Sequence, residues 1–133
     1  MPLSTESFPK NQQPAIRVLA MPADTNAAGD IFGGWLMSQV DIAGSIAAHR
    51  CAKGRVVTVA VNSFEFLKPV FVGDLISIFV EMVEVGTTSM QVEVVAFAER
   101  NRDSVISECV ARARLTYVAI DENRKPRPLS PSE

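Results

Sequence analysis

The 133 residues include one histidine, two cysteines, one tryptophan and one tyrosine, and each scarcity removes a class of chemistry. With His49 as the sole imidazole and no G-x-S-x-G turn, a Ser-His-Asp hydrolase of the usual form is excluded. The same shortage, with no Cys/His/Asp cluster, argues against a metal site. Cys51 and Cys109 are far apart and form no C-x-x-C, so reduced, partly buried thiols are expected. Positive charge is not in excess: thirteen Lys and Arg face fifteen Asp and Glu, for a net charge of −2. That balance predicts no nucleic-acid partner. No apolar run reaches the ~20 residues of a membrane helix, and MPLSTESFPKNQQP at the N-terminus lacks an apolar signal core. The expectation is a cytoplasmic protein without a membrane partner. No internal repeat or low-complexity segment is found.

What is present suits one domain with one core. Apolar residues make up 47% and charged residues 21%, ordinary values for a globular chain. Residues 1–13 are polar and read as a flexible arm, residues 14–129 as the domain, and residues 130–133 as a tail. AIRVLAM, residues 15–21, reads as a short first strand.

The organising stretch is NAAGDIFGGWLMSQVD, residues 26–41. Asn26 and Gly29 suit a turn, and Asp30 suits a helix cap. From Gly33 and Gly34 a helix is predicted to run about five turns to Ala52, with Lys53 and Gly54 as its stop. It is apolar almost all round, which predicts a helix wrapped by other structure. One acid, Asp41, interrupts it. At about 100° per residue, Gly34, Ser38, Asp41, Ser45 and Ala48 share a narrow small-residue stripe, opposite Leu36, Val40, Ala43 and Ala47. A helix start exposes unpaired N–H groups at a positive dipole end, and glycine permits close approach to them. A polarised oxygen docked there would lie about two turns from an acid able to handle a proton or water.

The rest reads as strands. Residues 55–67, RVVTVAVNSFEFL, are apolar on both faces, Val57/Val59/Val61 and Val56/Thr58/Ala60, which predicts a central strand. Pro69 marks its end. Residues 74–85, 88–100 and 105–120 alternate, with Ile76/Ile78/Val80/Met82, Met90/Val92/Val94/Ala96/Ala98 and Cys109/Ala111/Ala113/Leu115/Tyr117 on the inward faces. Gly86-Thr87 and residues 101–103 are the predicted turns. The architecture predicted is α+β: one long helix cradled by a five- to six-stranded antiparallel sheet. A single small sheet leaves bare edges, so pairing edge to edge across a two-fold axis is expected.

MPADTNAAGDIFGGWLMSQVD, residues 21–41, resembles the signature of hotdog-fold acyl-CoA thioesterases of the bacterial YciA-type branch, in which MP-x-DTN precedes GD-x-FGGW-x-MSQ-x-D. GRVVTVAVNSFEFLKPVFVGD (54–74), GTTS (86–89) and YVAIDENRKPRPLS (117–130) resemble further blocks of that family in order and spacing. The resemblance covers residues 14–129, with Ala28 standing where close relatives often have Asn. It implies hydrolysis of acyl-CoA to a fatty acid and CoA, with CoA a part of substrate and product and no other cofactor. It implies Asp41 as general base or nucleophile, Gly33 and Gly34 N–H groups polarising the thioester carbonyl, and Asn26 orienting water or carbonyl from another subunit. The backbone of Val57, Thr58 and Val59 would meet the pantetheine amides, and the Gly86, Thr87, Ser89 turn the nucleotide end. Arg55, Lys68 and the tail cations Arg124, Lys125 and Arg127 would meet phosphates. The resemblance also implies homodimers assembling as a trimer of dimers. A non-catalytic acyl-CoA sensor or scaffold on the same fold is the alternative.

Overall fold

Three long strands of alternating residues sit side by side and carry one helix on their apolar face. The computed structural model describes residues 3–100 and 106–129; the predicted turn at residues 101–103 and the tail at 130–133 lie outside them. Strand β1 (Ile16–Leu19) is followed by a single 3-10 turn (Pro22–Asp24), helix α1 (Gly33–Ala52), and strands β2 (Val56–Phe66), β3 (Leu75–Val85), β4 (Ser89–Glu99) and β5 (Ser107–Ala119). All pairings are antiparallel, in the order β1-β3-β4-β5-β2.

The inner face buries Ile76 and Ile78 of β3, Met90, Val92 and Val94 of β4, and Ala113, Leu115 and Tyr117 of β5. Against them α1 buries Leu36, Val40, Ala43, Gly44, Ala48 and Ala52. Small residues dominate that stripe, which lets the helix backbone come close. Burying each larger apolar side chain contributes about 1.5–3 kcal/mol.

Several expectations are corrected. The helix packs on the apolar face of the sheet as expected but is not buried all round: Ile42 is 47% exposed. Ala48, read on the small polar stripe, belongs to the buried side. The residue capping the helix start is Phe32, without a side-chain bond, and not Asp30. At the other end Lys53, and not Gly54, takes the left-handed conformation (φ 56°) that closes α1.

β2 is an edge strand, not a central one. The strand is open to solvent, with Val59 55% and Val61 47% exposed. Apolar residues on both faces call for cover, and among the described residues no strand supplies it on the free edge. Register shifts fall between Thr58 and Ala60 and between Val61 and Ser63, leaving Val59 and Asn62 out of the ladder.

A further shift between Ala96 and Phe97 pairs Ala96 with Ala111 but Phe97 with Cys109, so Val110 is the extra residue. That bulge moves Cys109, expected inward, to the outer face beside Phe79, Val95 and Phe97. Burial pushes its thiol pKa up to about 11. Two residues of the polar arm, Leu3 and Phe8, pack over this outer cluster, with Phe8 edge-on to Phe79 and Phe97 at 5.3 and 5.6 Å.

The loop after β2 is tied down by Asp74, whose Oδ2 accepts the Phe71 N–H at 2.9 Å. Arg100 Nη1 lies 3.2 Å from the same oxygen, an ion pair not aligned as a hydrogen bond. Arg100 Nη2 donates to Glu108 and to the Pro69 carbonyl. The loop that carries Lys68 and Pro69 is thereby held beside the helix start.

Candidate active site

Asp41 sits midway along α1, half-buried, where the helix passes the β2–β5 pair. Its Oδ1 accepts two hydroxyl protons, from Thr58 at 2.8 Å and from Tyr117 at 2.8 Å. Thr58 and Tyr117 are cross-strand partners, so one rung of the ladder presents both donors. The Tyr117 hydroxyl also lies 2.8 Å from the Asp41 backbone carbonyl. Burial, then the bond to Asp41 and its charge, push the Tyr117 pKa well above that of an ordinary phenol. Tyr117 is therefore a lasting donor, and Oδ2 of Asp41 has no hydrogen-bond partner among the described residues.

About two turns earlier the helix begins. Leu36 N–H makes the first intrahelical bond, to the Phe32 carbonyl at 3.3 Å. The N–H groups of Gly33, Gly34 and Trp35 precede it and have no acceptor in the helix. A Cβ on Gly33 would touch the Phe66 ring at 3.2 Å, whereas the space before Gly34 is open. A cleft of about 370 Å³ opens here, lined by Asn26, Phe32, Gly33, Phe66 and Lys68 among others. An oxygen that acquires negative charge would be stabilised at those N–H groups. A carboxylate and an anion-stabilising helix start on one element are parts for attack of water on a carbonyl.

Residues 28–105 match the thioesterase superfamily. The chain is 49% identical over 116 residues to the acyl-CoA thioester hydrolase YciA of Salmonella typhimurium, covering 86% of this chain and 87% of that one.

The chain belongs to the thioesterase superfamily.

Among solved structures, the hexameric thioesterase y2039 from Yersinia pestis superposes with a TM-score of 0.87 at 45% identity, over 92% of this chain and 99% of that one. An acyl-CoA hydrolase from Staphylococcus aureus, solved with butyryl coenzyme A and coenzyme A, gives 0.79 at 32% identity, over 86% and 69%. The long helix and five-stranded antiparallel sheet are a hotdog fold, as in the hotdog-fold thioesterase Cj0915 of Campylobacter jejuni, 44% identical with a TM-score of 0.82 over 90% of this chain and 91% of that one.

This superfamily member brings some of the expected residues together and separates others. Asp41 and Thr58 meet directly. Asn26, Gly33 and Lys68 share the cleft at the helix start, but Asp41 does not line it. Asn26 is also a turn residue: its Oδ1 accepts the N–H groups of Ala28 at 2.9 Å and Asp30 at 3.2 Å. Gly29 completes that turn at φ 92°. Val57 pairs with Val118, while Val59 is the bulged residue.

Arg55 lies elsewhere, in a hollow of about 390 Å³ beyond Asp41, with Ser45, His49, Arg50 and Val56. The sequence reading missed Arg50; a cation nine positions after Asp41 and near Arg55 was its signal. Gly86 N–H bonds the Ser89 carbonyl at 2.8 Å, and Leu129 N–H bonds the Thr87 carbonyl at 2.8 Å. The turn thus holds Leu129 and lines neither hollow.

Arg127 corrects another expectation. Its guanidinium donates to the Ala52 carbonyl at 3.0 Å and the Ile120 carbonyl at 3.2 Å, so it caps α1 and is not a free cation. Arg124 and Lys125 remain exposed. Tyr117 was read only as an inward apolar residue; a lone tyrosine in mid-strand needs a partner for its hydroxyl, which was the available signal.

Proposed function

We propose that the protein hydrolyses acyl-CoA thioesters to a free fatty acid and CoA. The observation that carries this reading is the Asp41 carboxylate, held through Oδ1 by Thr58 and Tyr117 on the helix whose start has free N–H groups. The relatives' names fix the substrate class: the Salmonella protein is an acyl-CoA thioester hydrolase.

In the proposed reaction the thioester oxygen docks at the N–H groups of Gly34 and Gly33. Asp41 Oδ2 takes a proton from water as the water oxygen attacks the carbonyl carbon. The tetrahedral oxyanion is stabilised at the helix start, where losing one such donor typically costs about 3 kcal/mol. Collapse breaks the C–S bond, and the CoA thiolate receives the proton. Direct attack by Oδ2, with hydrolysis of the resulting anhydride, is the other route open to the same carboxylate. Neither route calls on a metal or a further cofactor. The free thiols Cys51 and Cys109 suit a reducing cytoplasm.

A second copy completes the site in this reading. The open β2 edge, with Val59, Val61 and Ile42 exposed beside it, suits pairing of two protomers. Asn26 and the helix start share a cleft that Asp41 of the same chain does not line, so both then serve the carboxylate of the neighbour. The hexameric state of the Yersinia pestis protein supports assembly of three such dimers.

The test is release of free CoA from butyryl-, hexanoyl- and palmitoyl-CoA, read with a thiol reagent. Turnover is expected on at least one chain length, with a loss of 100-fold or more in Asp41→Asn, the order contributed by a positioned base (~10²–10⁴). Undiminished turnover in that variant would reject Asp41; bound CoA with no turnover in the wild type would favour an acyl-CoA sensor.

A further inference from the structure

We infer that Tyr117 is a positioning residue for hydrolysis, anchoring Asp41 through Oδ1 so that Oδ2 is the oxygen presented to water. This rests on the reading of Asp41 given above.

The position itself is a core position. Tyr117 is fully buried in β5, paired with Met90 of β4 on one side and Thr58 of β2 on the other. Two ladders fix its backbone. For packing alone a phenylalanine would serve, and burying a hydroxyl is costly unless it is hydrogen-bonded. Its one hydroxyl proton is shared between two acceptors of one residue, the side chain and the backbone carbonyl of Asp41, each 2.8 Å from the oxygen. A contact to both ends of one residue holds the helix at that turn and the carboxylate within it.

Gly44 is the second, independent sign. It sits in mid-helix, where glycine is about 1 kcal/mol worse than alanine. A Cβ there would stand 2.5 Å from the Tyr117 hydroxyl oxygen. The glycine opens a notch for that hydroxyl, three residues after the acid it holds. Each feature is unfavourable alone; together they deliver a donor to Asp41 from inside the core.

The consequence is an asymmetric carboxylate. Oδ1 carries both donors, and a carboxylate oxygen so engaged is a weaker base and nucleophile. Oδ2 carries none among the described residues. Thr58 shares the anchoring, but its hydroxyl stands on an edge strand beside a bulge, whereas Tyr117 is held by neighbours on both sides.

The test compares Tyr117→Phe, Gly44→Ala and Asp41→Asn in the assembled enzyme. Tyr117→Phe is expected to lower kcat about 10- to 100-fold, the order lost when a reacting group is misplaced. KM should stay within about twofold, because the hydroxyl does not touch substrate. Gly44→Ala, which displaces the hydroxyl and keeps the phenol, should give the same signature. As the chain has one tyrosine, 3-fluorotyrosine labels this position alone and needs no substitution to fold. Its fluorine resonance should move between wild type and Asp41→Asn at a single pH, reporting the contact of the hydroxyl with that side chain. A resonance that Asp41→Asn leaves in place, or wild-type kcat in Tyr117→Phe, overturns the inference. With Asp41→Asn inactive, either result leaves the hydrolase reading standing; an active Asp41→Asn removes that reading instead.

Discussion

Arg127 reaches across to the last turn of the helix and donates to the Ala52 carbonyl at 3.0 Å. Gly54 makes the room: a Cβ there would stand 2.7 Å from the same nitrogen. A cation at this end also complements the helix dipole. Arg127→Ala is therefore expected to lower stability by about 1.5–3 kcal/mol, the worth of one charge-assisted bond. KM for acyl-CoA should not change. Chemical denaturation and steady-state kinetics on the same preparation check both halves; a raised KM at unchanged stability would return Arg127 to the phosphate-binding role.

The two glycines at the helix start should respond differently to alanine. At Gly33 the new methyl meets Phe66 at 3.2 Å, so the ring must give way and stability should fall slightly. At Gly34 nothing stands within 4 Å, so the fold should accept the change or gain up to ~1 kcal/mol from helix propensity. Yet that open space is where the thioester oxygen would dock. Gly34→Ala should keep or raise the melting temperature while cutting kcat/KM about tenfold or more, within the range for a disturbed oxyanion site. Equal activity in Gly34→Ala and wild type would move the oxygen site elsewhere.

Alkali should act through Tyr117 and Cys109. Burial and the neighbouring carboxylate hold the Tyr117 proton, while an unfolded tyrosine loses it near pH 10. Burial likewise holds the Cys109 thiol up to about 11, against ~8.5 when unfolded. Above the unfolded values the native state binds more protons than the unfolded one, so stability falls with rising pH. The stabilising effect is intact below about pH 8 and is lost progressively above it. Denaturation midpoints across this range should decline, and tyrosinate absorbance should rise only as far-UV circular dichroism is lost. A smooth phenol titration near pH 10 with the fold intact would contradict the burial of that hydroxyl.

The open edge gives an assembly prediction. Val61 lies opposite Leu115 on the helix side of β2, 47% exposed. Val61→Glu should leave the protomer folded, because the side chain gives up little burial within its own chain. Light scattering should show a smaller species, and activity should fall with it because Asn26 and Asp41 would no longer be brought together. A variant that is monomeric and fully active would remove the shared-site proposal.

Much of the fold was legible because it follows periodicity. The helix runs from Gly33 to Ala52 as expected, and the alternation in β3, β4 and β5 marks their buried faces. Strand order was not legible. An apolar outer face on β2 says that cover is needed, not whether a neighbouring strand or another molecule gives it. Bulges hid the rest: one extra residue at Val110 reverses which face Cys109 takes, and nothing local in the sequence announces it. At the site, Asp41 and the glycine start stood out by type and spacing. Tyr117 and Gly44 did not, since both look like core residues until the hydroxyl is seen 2.8 Å from the acid. Arg127 was misread for a similar reason, because a cation among prolines does not disclose the carbonyls it folds onto.

The outer face of the sheet bears on how the protein should be handled. Phe79, Val95 and Phe97 are kept dry in part by Leu3 and Phe8 from the arm. Versions trimmed past residue 8 would bare a greasy aromatic plate on the side of the sheet away from the helix. Such shortened material should stick to itself through that plate, and sizes measured on it would confuse a handling artefact with the native assembly.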